Sequence, residues 1–428
     1  MIVLVEGHRV EDRPDTAGRR GIRTLMKPLA GVRVVDMSRV LAGPFAGRIL
    51  SDLGADVVKV EPPEGDISRL WGVTRAGLAG FYTQQNVGKR NVCIDLRAEG
   101  GSEMVKRLAS KAHVLIENFR PGVMARHGLS FAELSEANPA LVMLSISGFG
   151  QEGPESHRAA YAPVLHGESG WLTRAAEIHQ QPVQEPYLAV ADTYASLHGS
   201  VGVLAALRVA ELTGHGQHID IAMLESFLAT DEGSQAGLDG VSYQSQGGLV
   251  WDGVDGPILT AGDFRWIWKQ LSETHQIADP SPADADIGTK RSHRSDAINA
   301  FLSSFETRAE MLAALDEANL AWGDIRTTAE AHESPTAIHR GSSVEIDARD
   351  GGTRRVTQTP YRFTGTSAET SATSGITSGA LASHLGEHND EVLAEWLGSG
   401  RAEIEALRQS GVLTEDMFAA EARSDEHS

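Results

Sequence analysis

Only one cysteine, Cys93, occurs in the 428 residues. That excludes an intramolecular disulfide and any multi-cysteine zinc site, and a lone thiol suits a cytoplasmic protein. Long apolar runs are missing too: no stretch of about 18 uncharged apolar residues occurs, so no membrane span is expected. The start, MIVLVEGHRVEDRPD, is apolar for five residues before charges arrive, which is not the pattern of a signal peptide. Basic residues fall short of acidic ones, 38 against 58, for a net charge of −20. Such a surface repels phosphates and anionic headgroups, so neither nucleic acid nor membrane is expected as a partner, although a local basic pocket can still hold one anionic ligand. Hydrophobic residues at 41% and charged residues at 22% form an ordinary globular mix. The length is about three times the ~150-residue guide for one domain, which fits one large enzyme-sized unit or two to three domains.

Several chemical motifs are absent. Gly88-Lys89 is followed by Arg90, and no glycine stands five before Gly88, so there is no P-loop. No G-x-S-x-G nucleophile elbow occurs. Gly148-Phe-Gly150-Gln-Glu-Gly153 fits G-x-G-x-x-G, but Pro154 and a polar loop follow where a dinucleotide site needs a helix, so a tight loop is expected. His215-Gly-Gln-His218 has poor ligand spacing in a turn leading into a strand, and no metal site is expected.

What is present is an α/β alternation. Val32–Met37, Asp56–Val60, Val92–Leu96, His113–Ile116, Leu141–Ile146 and Gln217–Met223 read as strands. Helices are expected over 45–53, with Pro44 at the first position and Gly54 closing it, over 101–109, over 131–137 and over 192–212, ended by Thr213-Gly214. Strand, helix and strand with short links make βαβ units, hence a doubly wound, Rossmann-like parallel sheet. Residues 1–27 are polar and Arg-rich, and read as a disordered extension with Met26 a plausible initiator. Regularity weakens over about 226–340, which is assigned to a small middle domain; 28–225 and 341–413 are assigned to the large one. The Thr/Ser/Gly/Ala stretch 364–380 reads as a flexible surface segment, 390–409 as the last helical piece and 414–428 as an acidic tail.

Two places carry candidate chemistry. Asp192 opens the long helix. It is either a plain N-cap or a nucleophilic carboxylate whose pKa the helix terminus lowers, and spacing alone does not separate the two. Glu117-Asn-Phe-Arg-Pro-Gly122 follows a buried strand, at the end of the sheet where open α/β folds bind ligands. With Arg97, Arg120 and Arg126 it offers either a phosphate site or a solvated loop.

Leu29-Ala-Gly-Val-Arg-Val-Val-Asp-Met-Ser-Arg-Val-Leu-Ala-Gly-Pro44 and Gly54-Ala-Asp-Val-Val-Lys-Val-Glu61 open a longer run of motifs. It continues through Asn86-Val-Gly-Lys-Arg90, ENFRPG, Ser145-Ile-Ser-Gly-Phe-Gly150, Ala191-Asp192, Thr213-Gly-His-Gly-Gln217, Tyr361-Arg-Phe363 and Leu385-Gly-Glu-His388. Over about 28–413 the chain resembles the class III CoA-transferases, the group with formyl-CoA:oxalate and carnitine CoA-transferases and α-methylacyl-CoA racemase. The resemblance implies a Rossmann-like large domain, a small middle domain and two ring-shaped chains interlocked as an obligate homodimer. It implies no tightly bound cofactor, coenzyme A as ligand, and an acyl-CoA and a carboxylic acid as substrates. It makes Asp192 the nucleophile, places Val40, Leu41, Ala42, Ile94, Arg97, Asn118, Phe119 and Arg126 around CoA, and places Tyr161, Gly247 and Gly248 at the acyl pocket. Departures are Pro62 and His127 near the adenine, and Tyr161-Ala162 where the racemase branch carries a His-Asp pair. Without that imidazole, α-proton exchange lacks a base, which favours transfer over the alternatives of racemisation or a non-catalytic CoA-binding role. Only Gly247-Gly248 stands where the transferases carry a longer glycine-rich loop.

Overall fold

The computed structural model describes residues 27–243, 247–364, 375–376 and 380–425. Six strands form one sheet: β1 (Arg33–Asp36), β2 (Asp56–Glu61), β3 (Arg90–Cys93), β4 (Val114–Glu117), β5 (Val142–Ser147) and β6 (His218–Ala222). Their spatial order is β3-β2-β1-β4-β5-β6, and every neighbouring pair is parallel. The chain winds outward from β1 to β3, returns to the centre at β4 and winds outward again. The loops after β1 and β4 therefore leave in opposite directions and open a crevice at the carboxyl edge.

Alternation along each strand fills two cores, as a parallel sheet covered on both faces requires. Val34, Val57, Val114 and Val142 pack with helices α1 (Ala42–Asp52) and α4 (Val190–Thr213). Val35, Val58, Leu115 and Met143 face the other way, onto Met104, Val105 and Leu108 of α2 (Gly101–Ala109) and onto Val392, Leu393 and Trp396 from the end of the chain. A separate antiparallel sheet of Gly248–Gly253, Gly256–Ala261 and Trp322–Asp324 has its own core around Trp251, Ile258, Ile267, Leu302 and Met311. Cys93 is buried, with Sγ 2.8 Å from Thr414 Oγ1.

Several boundaries differ from the expected ones. The first helix begins at Ala42 rather than Phe45. Its first turn accepts Pro44, whose missing N–H has no partner to lose there. Gly43 is required, because a Cβ would lie 2.1 Å from Ser38 Cβ. The last helical piece is two helices, Asn389–Leu397 and Arg401–Gln409, broken where Gly398 ends the first at φ 70°. The segment after 413 is more than a tail: Met417–Asp425 is helical, Ala419 is buried and Phe418 stacks on His384. Residues 1–26 and most of 364–380 lie outside the described residues.

Candidate active site

A cleft of about 320 Å³ lies in the crevice between the β1 and β4 loops. The β1 loop contributes Arg39, Val40 and Ala42, and the β4 loop Asn118, Phe119 and Arg120. The end of β5 adds Ser147 and Gly148, and Asp192 stands in the wall. Tyr161 joins them as the N-cap of helix α3 (Ala162–Glu168), with its ring largely exposed.

Asp192 is not the N-cap of α4. Ala189 holds that place without a side-chain cap, and Asp192 sits within the first turn. Its carboxylate meets the backbone N–H groups of Ala42, Ala162 and Asp192 itself. Each of these belongs to the first turn of a helix: α1, α3 and α4. Three positive helix ends thus converge on one carboxyl group. Two side chains fix the approach. Ser196 Oγ donates to the carbonyls of Ala42 (2.6 Å) and Asp192 (2.7 Å), tying α4 to α1. The buried His166 accepts the Ala191 N–H at Nε2 (3.2 Å) and meets Glu185 through Nδ1 (3.0 Å). Burial pushes the Asp192 carboxyl up to about 6 despite the three N–H groups pulling it down. The expected lowering is thus reversed, because desolvation outweighs the helix termini here. At pH 7 the group is still ionised in roughly nine molecules of ten.

The ENFRPG segment builds the facing wall. Asn118 spends its side chain on the backbone of Arg39, with Oδ1 accepting the N–H and Nδ2 donating to the carbonyl, both at 2.8 Å. The buried Glu117 accepts the Phe119 N–H at 2.8 Å, and burial pushes its carboxyl up to about 7. Arg39 lies over the Phe119 ring. Arg39, Arg120 and Arg126 are exposed and, among the described residues, form no ion pair with a carboxylate. Arg39 and Arg120 line the cleft with Asp192, whereas Arg126 lies outside its lining; unpaired arginines there suit an anionic ligand.

Other expected site residues lie elsewhere in the chain. Ile94 is 1% exposed within the core and bridges to Leu413, so its side chain has no surface to offer a ligand. Arg97 is exposed but held by Asp95 (2.8 Å) and Glu64 (2.7 Å). Leu41 is buried as the cap of α1. Gly247 and Gly248 are outside the cleft. Gly248 is a strand residue paired with Ala261, and its missing Cβ admits the Leu259 side chain. The G-x-G-x-x-G segment is a loop with no helix until Ala162, and its first glycine lines the cleft. Ser147 and Gly148 were missed, although they follow a strand as ENFRPG does. The same carboxyl-edge rule would have found them.

The family model described as CoA-transferase family III matches residues 29–374. The chain belongs to CoA-transferase family III. Succinate–glutarate CoA-transferase of Agrobacterium fabrum is 33% identical over 402 residues, which cover 86% of this chain and 95% of that protein. The alpha subunit of succinyl-CoA–L-malate CoA-transferase from Chloroflexus aurantiacus is 32% identical over 413 residues, or 90% and 92% of the two. The crystal structure of a CAIB/BAIF family protein from Brucella suis superposes with a TM-score of 0.72 at 30% identity, covering 86% of this chain and 99% of that one. This enzyme is thus a CoA-transferase with the mixed α/β fold and parallel central sheet of that group, and coenzyme A is a substrate in its thioester form. Among the described residues no helix is long and apolar enough to cross a membrane, and no group of three His, Cys, Asp or Glu side chains stands at metal-binding distance.

Proposed function

We propose that the enzyme moves CoA from an acyl-CoA donor to a carboxylic acid through covalent intermediates on Asp192. The observation that carries this is the Asp192 carboxylate in the cleft wall, met by three helix N-termini and faced by Arg39 and Arg120. The carboxylate attacks the donor's thioester carbonyl and CoA leaves as thiolate, giving a mixed anhydride. The thiolate attacks the aspartyl carbonyl and releases the donor acid, leaving an aspartyl-CoA thioester. The acceptor carboxylate attacks that thioester and expels the thiolate again. The thiolate then takes the acceptor's acyl group from the second anhydride and frees Asp192. The acyl group stays activated through four exchanges, alternately as anhydride and thioester, so water must be kept out. The N–H groups of Ala42 and Ala162 are placed to stabilise the oxyanions at the aspartyl carbon.

The acids read best as short dicarboxylates. Their second carboxylate would meet Arg39 or Arg120, and the relatives named above act on succinate, glutarate and malate. Arg126, with Arg97 released from its carboxylates, is assigned to the CoA phosphates. The large unit is taken as 28–225 with 341–413, the smaller as 226–340. The working form is taken as the interlocked homodimer. In support, Leu197, Val201, Leu204 and Leu212 form an exposed apolar stripe along α4.

Incubation with a panel of acyl-CoAs, then hydroxylamine or borohydride trapping, intact mass and peptide mapping tests the reading. An adduct on Asp192, lost in Asp192→Asn together with at least about a thousandfold in turnover, is expected. Full turnover by Asp192→Asn would overturn the mechanism. Equal rates with mono- and dicarboxylic acceptors would overturn the substrate class.

A further inference from the structure

The loop between β1 and α1 leaves almost none of its backbone to chance. Ser38 N–H donates to Asp36 Oδ1 (3.0 Å), and its carbonyl accepts Lys59 Nζ (2.7 Å). Asn118 takes both the N–H and the carbonyl of Arg39. The Val40 N–H donates to the carboxylate of Asp66, at 3.0 and 3.2 Å from its two oxygens. Asp66 is 1% exposed, and also accepts from the N–H (3.0 Å) and hydroxyl (2.8 Å) of Ser68 and pairs with the buried Lys59 at 3.3 Å.

Val40 has φ +69°. It is the only β-branched residue among the described ones with a positive φ. The left-handed region is costly for such a side chain, and it persists only where the surroundings impose it. Here they impose it two residues before Ala42, whose N–H faces the Asp192 carboxylate. Neutralising Lys59 does not by itself require Asp66, since Asp36 and Glu61 also act on that ammonium.

We propose that Asp66 is a positioning residue of the active site: by accepting the Val40 N–H it holds Val40 left-handed, and so aims the Ala42 N–H at Asp192. This rests on the reading of Asp192 as nucleophile. Asp66 is not among the residues that line the cleft; it acts through the loop.

A double-mutant cycle on the full-length enzyme tests it. Asp66→Asn lowers kcat about ten- to a hundredfold with KM changed less than about threefold, because the defect is one of alignment. In a Val40→Gly background the same substitution lowers kcat less than about threefold, since glycine takes positive φ unaided. Equal losses in both backgrounds, or a parental kcat for Asp66→Asn, would overturn the proposal. If Asp66→Asn does not fold, Asp66→Glu is read in the same two backgrounds. Hydrogen exchange on the unsubstituted enzyme needs no variant: the Val40 amide is protected like those of β1, and exchange at the rate of a free loop overturns the proposal. Turnover by Asp192→Asn would sink the nucleophile while leaving the Val40–Asp66 coupling to its own measurements.

Discussion

In the nucleophilic role proposed for it, Asp192 carries two demands that pull apart. A nucleophile must be ionised, and the N–H groups of Ala42 and Ala162 favour that. A site that protects anhydrides must be dry, and burial wins, bringing the carboxyl up to about 6. Activity follows the ionised form, so kcat/KM rises with pH through a limb near 6 and levels off above about 7; a limb below pH 5 would contradict this burial. The folded protein binds this proton more tightly than the unfolded chain does. The stability Asp192 contributes is therefore full below about pH 4 and is lost as pH rises through 6. Asp192→Asn is expected to melt higher than the parent at pH 8, by on the order of 1–3 kcal/mol after allowing for partial exposure, with the gap closing toward pH 4. The position of Asp192 was legible because a helix start is a local pattern. The direction of its pKa was not, because Ala42 and Ala162 come from distant parts of the chain. For the same reason Ile94 and Gly248 read as site residues yet lie in a core and in a separate sheet.

At the scale of elements, the motifs that gave the resemblance mostly do mechanical work. Lys89 of the Asn86–Arg90 motif is buried against Asp36 at 2.8 Å, and Gly47 leaves room for that pair. Glu61, closing β2, is held by Arg69, Tyr82 and Asn91; burial would raise its carboxyl, but Arg69 brings it down to about 2. In Leu385–His388, Gly386 donates its N–H to Asn91 and binds the end of the chain to β3. Thr213–Gln217 holds two different glycines. Gly214 ends α4 at φ 75°, a conformation asparagine tolerates, whereas a Cβ on Gly216 would lie 1.9 Å from the Leu141 carbonyl oxygen. Gly214→Asn is expected to cost less than about 1 kcal/mol in urea unfolding and Gly216→Ala about 3; equal costs would show that the close approach is not real. Strands and long helices were legible from their periods. The break at Gly398 was read through, although Gly398-Ser-Gly400 places two glycines there as a local signal for one.

For the whole molecule, a net charge of −20 and an anionic substrate set a problem that the unpaired arginines of the cleft answer locally. Composition could not bring Arg39 and Arg120 into one cleft, since the strand order that does so is a property of the assembled sheet. The apolar stripe on α4 is the other global feature. Val201 is 66% and Leu212 67% exposed on a helix whose opposite side is core. A charge there should cost nothing in a monomer and much in a dimer. Because interlocked rings do not separate while folded, Val201→Asp is expected to lower the yield of soluble dimer on refolding rather than to release single chains; an unchanged dimer yield would place the interface elsewhere.

Cys93 has a consequence for compatibility between catalyst and cargo. Thioesters exchange readily with free thiolates, and an accessible cysteine near bound acyl-CoA would capture the acyl group as a dead-end adduct. This chain has one thiol, buried and bonded to Thr414, and burial pushes it up to about 12. Native enzyme should resist maleimide and self-acylation at Cys93 for as long as it stays folded, and label at once in denaturant. The fold leaves the substrate's own sulfur as the only competent thiol in the reaction.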